Sequence, residues 1–272
     1  MGLPPSPSNG YTTTGRTALV VGHPGHELKL FGWVKANRPR VYVITDGSGR
    51  TGIPRLSSTA RLLAQIGSPP GEIFGCLSDA GIYRAIIECR IPIFLQLVDA
   101  LKDSFVLNQI DFVAGDAMEG FNPTHDLCRA ITNAAVLIAE HQGSKLISNY
   151  EFFLDEQECN CHKFPGQCLH FDLEREALGE KLAAARQYVE MKDDVIRAIA
   201  KWGQDNFRIE CLRRVAGPLL TGAYPVKRHY ELWGEQRVRE GEYESVIRYH
   251  EHVLPILNAL YEYAIKGAAV AA

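Results

Sequence analysis

A succession of short apolar runs, separated by stretches of helical periodicity, constrains the fold of this chain more than any other feature. The runs are GRTALVVG (15–22), RVYVIT (40–45), DFVAGD (111–116) and KLISNY (145–150), with Glu72 to Leu77 as a further short candidate. The first three are apolar without alternation, the pattern of strands covered on both faces. Between the runs, residues 26–38, 56–66, 79–105 and 124–141 read as helices. In the first of these the apolar positions are Leu28, Leu30, Phe31 and Val34, and Pro92 is the expected break in the third. Strands that alternate with helices need right-handed crossovers and a parallel sheet. The expected fold class is therefore α/β, a Rossmann-like, mostly parallel sheet with helices on both faces.

The chain divides into three parts. Residues 1–14 are rich in Pro, Ser, Gly and Thr and read as a mobile arm. Residues 15–153 form the α/β core. Beyond it the character changes: 173–215 and 244–266 read as helical, with a loop over 216–228. Residues 154–272 are expected to be a mainly helical extension packed on the core as part of the same domain. The irregular stretch at its start holds Cys159, Cys161, His162, Cys168 and His170. Their spacing matches no common zinc-finger pattern and leaves two readings, free thiols in a loop or a second metal site. Arg228 to Glu244 mixes aromatic and charged residues, which suits either stacking on sugar faces or packing against the sheet.

The length of 272 residues suffices for one large domain. A net charge of −3 provides no basic field, so nucleic acid is not an expected partner. No apolar run is long enough to span a bilayer. The start of the chain lacks the pattern of a secretory signal. The seven cysteines are then expected to be reduced and the protein cytoplasmic. A homo-oligomer is left open.

The chemistry is concentrated in VVGHPGHE, Val20 to Glu27, where a strand stops and a helix begins. Ligands of open α/β sheets bind outside the carboxyl ends of the strands. His23 and His26, three residues apart across a turn shaped by Pro24 and Gly25, can reach one ion. His125 follows the run DFVAGD at the start of a helix, on the same side of the sheet. Three imidazoles from two strand ends suit Zn²⁺, or another divalent ion such as Fe²⁺, with a position left open. The plainer alternatives are a chance pair of histidines and a capping or core role for His125. Arg50 and Arg55 are candidates for binding a hydroxyl or an anionic group, against the alternative of solvated surface arginines.

GHPGHE resembles the signature of the PIG-L/LmbE-like deacetylases, a His-Pro-Asp-Asp-Glu sequence after their first strand. VITDGSGRTG is similar to their Thr-x-Gly turn, and NPTHD to their later His-Pro-Asp-His segment. The three pieces occur in the family's order and cover roughly residues 15–150. The resemblance implies that His23, His26 and His125 are metal ligands, with His26 standing where the family has Asp. It implies that Asn122 takes the place of a histidine that helps stabilise the oxyanion. The family's general base is an Asp, and Gly25 occupies its position. A relocated base is sought among Asp116, Asp46, Asp126 and Glu27, with Asp116 favoured. Asp46 doubles as a turn cap, and Glu27 as a residue favoured by a helix dipole.

The expected activity is metal-dependent hydrolysis that removes an N-acyl group, such as acetyl, from an amino sugar or glycoconjugate. Two alternatives follow from Gly25: a metal-dependent enzyme acting on a different bond at this site, or a sugar- or partner-binding protein without turnover. Gly25→Asp is expected to raise deacetylation if only the base has moved.

Overall fold

The computed structural model describes residues 12–49, 52–143, 145–154, 168–215 and 227–270. Five strands run in parallel: β1 (Thr17–Val21), β2 (Arg40–Thr45), β3 (Pro70–Leu77), β4 (Phe112–Asp116) and β5 (Ser148–Phe152). Two more, β6 (Cys168–Asp172) and β7 (Ile209–Arg214), complete a mixed sheet of order β3-β2-β1-β4-β5-β7-β6. The helices among the described residues are α1 (Phe31–Asn37), α2 (Leu56–Ile66), α3 (Asp79–Ile87), α4 (Ile91–Leu107), α5 (Pro123–Gly143), α6 (Arg175–Gln187), α7 (Lys192–Trp202), α8 (His229–Arg239) and α9 (Leu254–Val270).

The apolar runs behave as a sheet buried on both faces. Every residue of β1 and β4 is buried. Successive side chains point to opposite sides. Ala18, Val20, Tyr42 and Ile44 pack with Phe94 of α4, Ile131 of α5 and Leu260 of α9. Leu19, Val21, Val41 and Val43 pack with Trp33 and Val34 of α1 and Leu63 of α2. Both faces are thus covered by helices. No helix among the described residues is long and apolar enough to cross a membrane.

Strand order fixes where a ligand can enter. β1 lies between β2 and β4, so the chain leaves it towards one edge of the sheet and later returns to build the other. The loops after β1 and β4 diverge, which opens a crevice at their carboxyl ends. His23 and His26 follow β1, and His125 follows β4.

Several local expectations need correction. The expected helix over 26–38 opens as a 3-10 turn, His26–Leu30, before α1. The helical stretch 79–105 breaks at Glu88–Arg90, not at Pro92, which sits in the first turn of α4 where its missing N–H is not needed. Residues 173–215, expected to be helical, contain β7, which pairs antiparallel with β5 through Tyr150↔Arg214 and Glu151↔Arg213. In β7 the inward-facing positions are Glu210 and Leu212, while Ile209 is half exposed. A buried carboxylate at an inward position erases the alternation by which a strand is recognised. Within the expected arm, Thr13 donates from its backbone N–H (2.7 Å) and its hydroxyl (2.9 Å) to Asn37 Oδ1. The rest of the arm up to residue 11, and residues 216–226 of the expected loop, lie outside the described residues.

Candidate functional site

The loop after β1 is held from three sides. Gly22 N–H donates to Asp116 Oδ2 at the end of β4 (2.7 Å), and Thr45 Oγ1 at the end of β2 donates to Gly22 O (3.0 Å). The turn following β2 closes against the loop: a Cβ at Gly47 would lie 2.7 Å from Pro24 Cδ. That contact gives a physical reason for glycine in the Thr45-Asp46-Gly47 turn. These restraints bring His23, His26 and His125 together. Their ring centroids are 5.3 Å (His23–His26), 5.2 Å (His23–His125) and 4.7 Å (His26–His125) apart.

Two of the imidazoles have carboxylates behind them. His23 Nδ1 lies 3.0 Å from Asp79 Oδ1 and 2.7 Å from Thr45 Oγ1. His26 Nδ1 lies 2.9 Å from Asp116 Oδ2. A carboxylate on Nδ1 fixes the ring and leaves Nε2 for a ligand, as is common around metal-binding histidines. Burial raises both carboxyls, yet each is held below the ordinary carboxylate range. For Asp79 the hydrogen bond and charge of His23 prevail, and for Asp116 the charge and hydrogen bond of His26. His125 is buried, and that burial, with His26 beside it, lowers its pKa well below the ordinary imidazole value. It is thus a neutral ring. Its Nδ1 is buried without a hydrogen-bond partner among the described residues. Three imidazoles, two of them pre-oriented by carboxylates and one with an unpaired buried nitrogen, are a donor set that fits a divalent ion.

Asp79 escaped the sequence reading. Its signal was available: it follows the strand candidate ending at Leu77, on the carboxyl side of the sheet. It opens α3 behind an N-cap, Ser78, whose side chain accepts from Gly81 N–H. Its second oxygen accepts from Gly49 N–H (2.7 Å).

The other expected residues have these surroundings. Asp116 is fully buried, and its Oδ1 has no partner among the described residues. Asp46 Oδ1 accepts from the backbone of Ser48 (2.9 Å) and Asp79 (3.3 Å), the capping geometry of a turn. Asn122 Oδ1 accepts from Thr124 N–H (2.8 Å), and its Nδ2 lies 3.5 Å from His23 Nε2. Asp126 accepts from Glu119 N–H (3.0 Å) and Gly120 N–H (2.9 Å), and burial raises its carboxyl to about 6. Glu27 is buried, where it accepts from Gly25 N–H (2.8 Å) and from the Tyr188 hydroxyl. It serves as a tie between the histidine loop and the extension. Arg55 lies along the Gly47–Gly49 turn, within reach of the side occupied by Asp79. Arg50 lies outside the described residues.

Gly25 has φ +102, a conformation that side chains other than glycine's rarely adopt, and a Cβ there would collide with Met191 Sδ. The expectation that Gly25→Asp restores a base therefore changes. The left-handed backbone costs about 1–2 kcal/mol, and the Met191 thioether, the end of a flexible side chain, has to move aside. Gly25→Asp is expected to lower the thermal midpoint and to bring no gain in deacylation. A variant as stable as wild type and more active would refute this reading.

A second group with ligand chemistry lies in the extension. One ligand atom each from Cys168, His170 and Cys211 falls within 4.8 Å of the others, the group among the described residues that meets this distance. The three histidines are gathered more loosely, so an ion there has to draw the rings inward. Cys168 and Cys211 are each in disulfide form, which corrects the expectation that the cysteines are all reduced; a disulfide offers no thiolate, so this cluster becomes a metal site only on reduction. Cys159, Cys161 and His162 lie outside the described residues.

Comparison with known proteins yields no family model that matches the chain, and no curated protein or solved structure that matches it. The fold and the site together define an α/β protein with a histidine cluster at the diverging crevice of its sheet. Any narrower assignment rests on the residues themselves.

Proposed function

We propose that this chain is a divergent member of the PIG-L/LmbE-like family with a Rossmann-like core. In this reading it acts in the cytoplasm as a hydrolase that removes an N-acyl group from an amino sugar or glycoconjugate. The observation that carries the reading is the convergence of His23, His26 and His125, with Asp79 and Asp116 on the first two. These histidines would hold a divalent ion, zinc or ferrous iron. When bound, such an ion supplies Lewis acidity for the amide carbonyl and makes water acidic enough to attack near neutral pH.

The chain's own residues do the rest. Asp79 and Asp116 keep their imidazoles in one orientation. Asn122, fixed by its bond from Thr124 N–H, presents its amide Nδ2 beside His23 Nε2. There it can donate to negative charge developing on the substrate oxygen. Asp116 is the residue we assign to accept the proton that water would release. Asp116 has an oxygen without a partner among the described residues, whereas Asp46 is engaged by two backbone amides. Arg55 would hold a hydroxyl or anionic substituent from the rim.

A panel of N-acyl amino sugars and matched esters, assayed for released amine or alcohol with zinc and with ferrous iron, tests this reading. Amide turnover that falls at least about a hundredfold in Asp116→Asn supports it. Turnover of esters alone would transfer the site to a different bond. The cover of Met191 over Gly25 favours a second reading, a binding protein without turnover, which metal binding with no hydrolysis of any substrate would establish.

A further inference from the structure

A cavity of about 250 Å³ borders the histidine loop, with Gly25 and His26 among the residues that line it. Its walls come from Leu28, from α6 (Leu182) and from α7 (Val195, Ile199 and Trp202), and are predominantly apolar. Lys181 also borders it, but its ammonium is paired with Glu210 at 2.9 Å, so that charge is already neutralised. The informative stretch of sequence here is α7 itself. Val195, Ala198, Ile199 and Trp202 stand at i, i+3, i+4 and i+7, one apolar stripe along the helix. The stripe is half-buried: Val195 packs on the cluster of Leu28, Phe31 and Tyr188, and Ile199 on that of Leu173, Leu178 and Leu182. The same four residues also line the cavity, so the contact between α7 and the rest of the chain is left partly open.

We propose that this cavity receives the aliphatic chain of the substrate's acyl group, so that the amide cleaved carries a medium-length acyl chain rather than acetyl. This rests on the hydrolase reading above and names its substrate class. Continuity with the site argues for this occupant, because a chain lying along α7 would place its first carbons beside His26. Glycine at position 25 yields its side-chain space to Met191: a Cβ there would collide with Met191 Sδ, and both residues line the cavity. A methylene fills roughly the 30 Å³ of a liquid water molecule, which gives room for about eight carbons. The reaction is ordinary hydrolysis: water adds across the C–N bond, the carbonyl carbon leaves as a fatty acid and the nitrogen as a free amine.

The test has a binding arm and a catalytic arm. In the first, decanoate is titrated into the full-length protein by calorimetry, beside Ala198→Trp, which fills the cavity from the half-buried face of α7. A second variant, Ile199→Asp, makes its wall polar. Thermal midpoints verify that both variants fold. The expected result is saturable binding by wild type and at least tenfold weaker binding by each variant. In the second arm, kcat/KM is measured on N-acyl glucosamines from acetyl to decanoyl. Each added methylene is expected to raise it about fourfold until the cavity is full. No decanoate binding, equal binding by wild type and folded variants, or a flat chain-length series would overturn the proposal. Hydrolysis of N-acetyl glucosamine without decanoate binding would sink the cavity and keep the hydrolase. Decanoate binding lost in the variants, with no hydrolysis of any amide, would keep the cavity as a fatty-acyl site and sink the hydrolase.

Discussion

His23→Ala and His125→Ala are each expected to reduce bound metal from about one ion per chain to a small fraction of that, because a zinc-type site rarely survives on two protein ligands. Both changes shorten a side chain on a loop or helix start whose backbone is held by other contacts, Gly22 N–H to Asp116 Oδ2 and Asn122 O from His125 N–H (3.1 Å). The fold should therefore persist, and circular dichroism with metal analysis on the same sample separates unfolding from ligand loss. Asp79→Asn keeps the shape but replaces the carboxylate behind His23. It is expected to weaken affinity about 10–100-fold, the usual effect of removing such an orienting partner. Cys211→Ser is the companion measurement, since the cysteine cluster, once reduced, would contribute an ion of its own. If both histidine variants retain stoichiometric metal while Cys211→Ser loses it, the ligand assignment fails and the extension holds the ion.

Glu210→Ala should be the most destabilising single change in the extension. Glu210 enters the protein on β7 and is buried there. Its carboxylate accepts from Gly32 N–H (2.9 Å) and Trp33 N–H (2.9 Å), the amides that open α1, and pairs with Lys181 Nζ (2.9 Å). Lys181 also donates to Lys29 O at 2.9 Å. One side chain thus caps a core helix, neutralises a buried ammonium and joins the extension to the loop that carries the histidines. Removing one partner of a buried pair costs about 3–5 kcal/mol because the other charge is left uncompensated. For a chain of this size that lowers the melting temperature by roughly 6–20 °C. Glu210→Gln keeps the shape and one acceptor and should fall between alanine and wild type. A midpoint unchanged in Glu210→Ala would show that the extension docks by its apolar contacts alone.

How much was legible depended on whether a residue's role is local. TALVV, RVYVIT and DFVAGD declare themselves as buried strands because both faces of each are apolar, and that follows from composition over a few residues. The placement of His23, His26 and His125 at strand ends was equally local, since loops after parallel strands share one side of the sheet. β6 and β7 were not legible. β7 gains its place by pairing with β5, far away in sequence, and β6 by pairing with β7 in turn; Glu210 at an inward position reads as polar surface until Lys181 and the α1 amides are seen around it. Asp79 was missed for a related reason: a carboxylate at a helix start looks like a dipole complement unless the histidine facing it is known.

The sequence by itself determined the alternation of strands and helices and the crevice end at which the chemistry must sit, because both depend on residue periodicity and on the direction of parallel strands. Only the tertiary structure decided which carboxylate supports which histidine, what stands over Gly25, and that the apolar stripe of α7 lines a cavity as well as packing on the chain beneath it. Those are properties of groups brought together across 50 to 180 residues of chain, as with His23 and Asp79 or Gly32 and Glu210. No local pattern encodes such a meeting. It arises only when packing has fixed the positions of both partners.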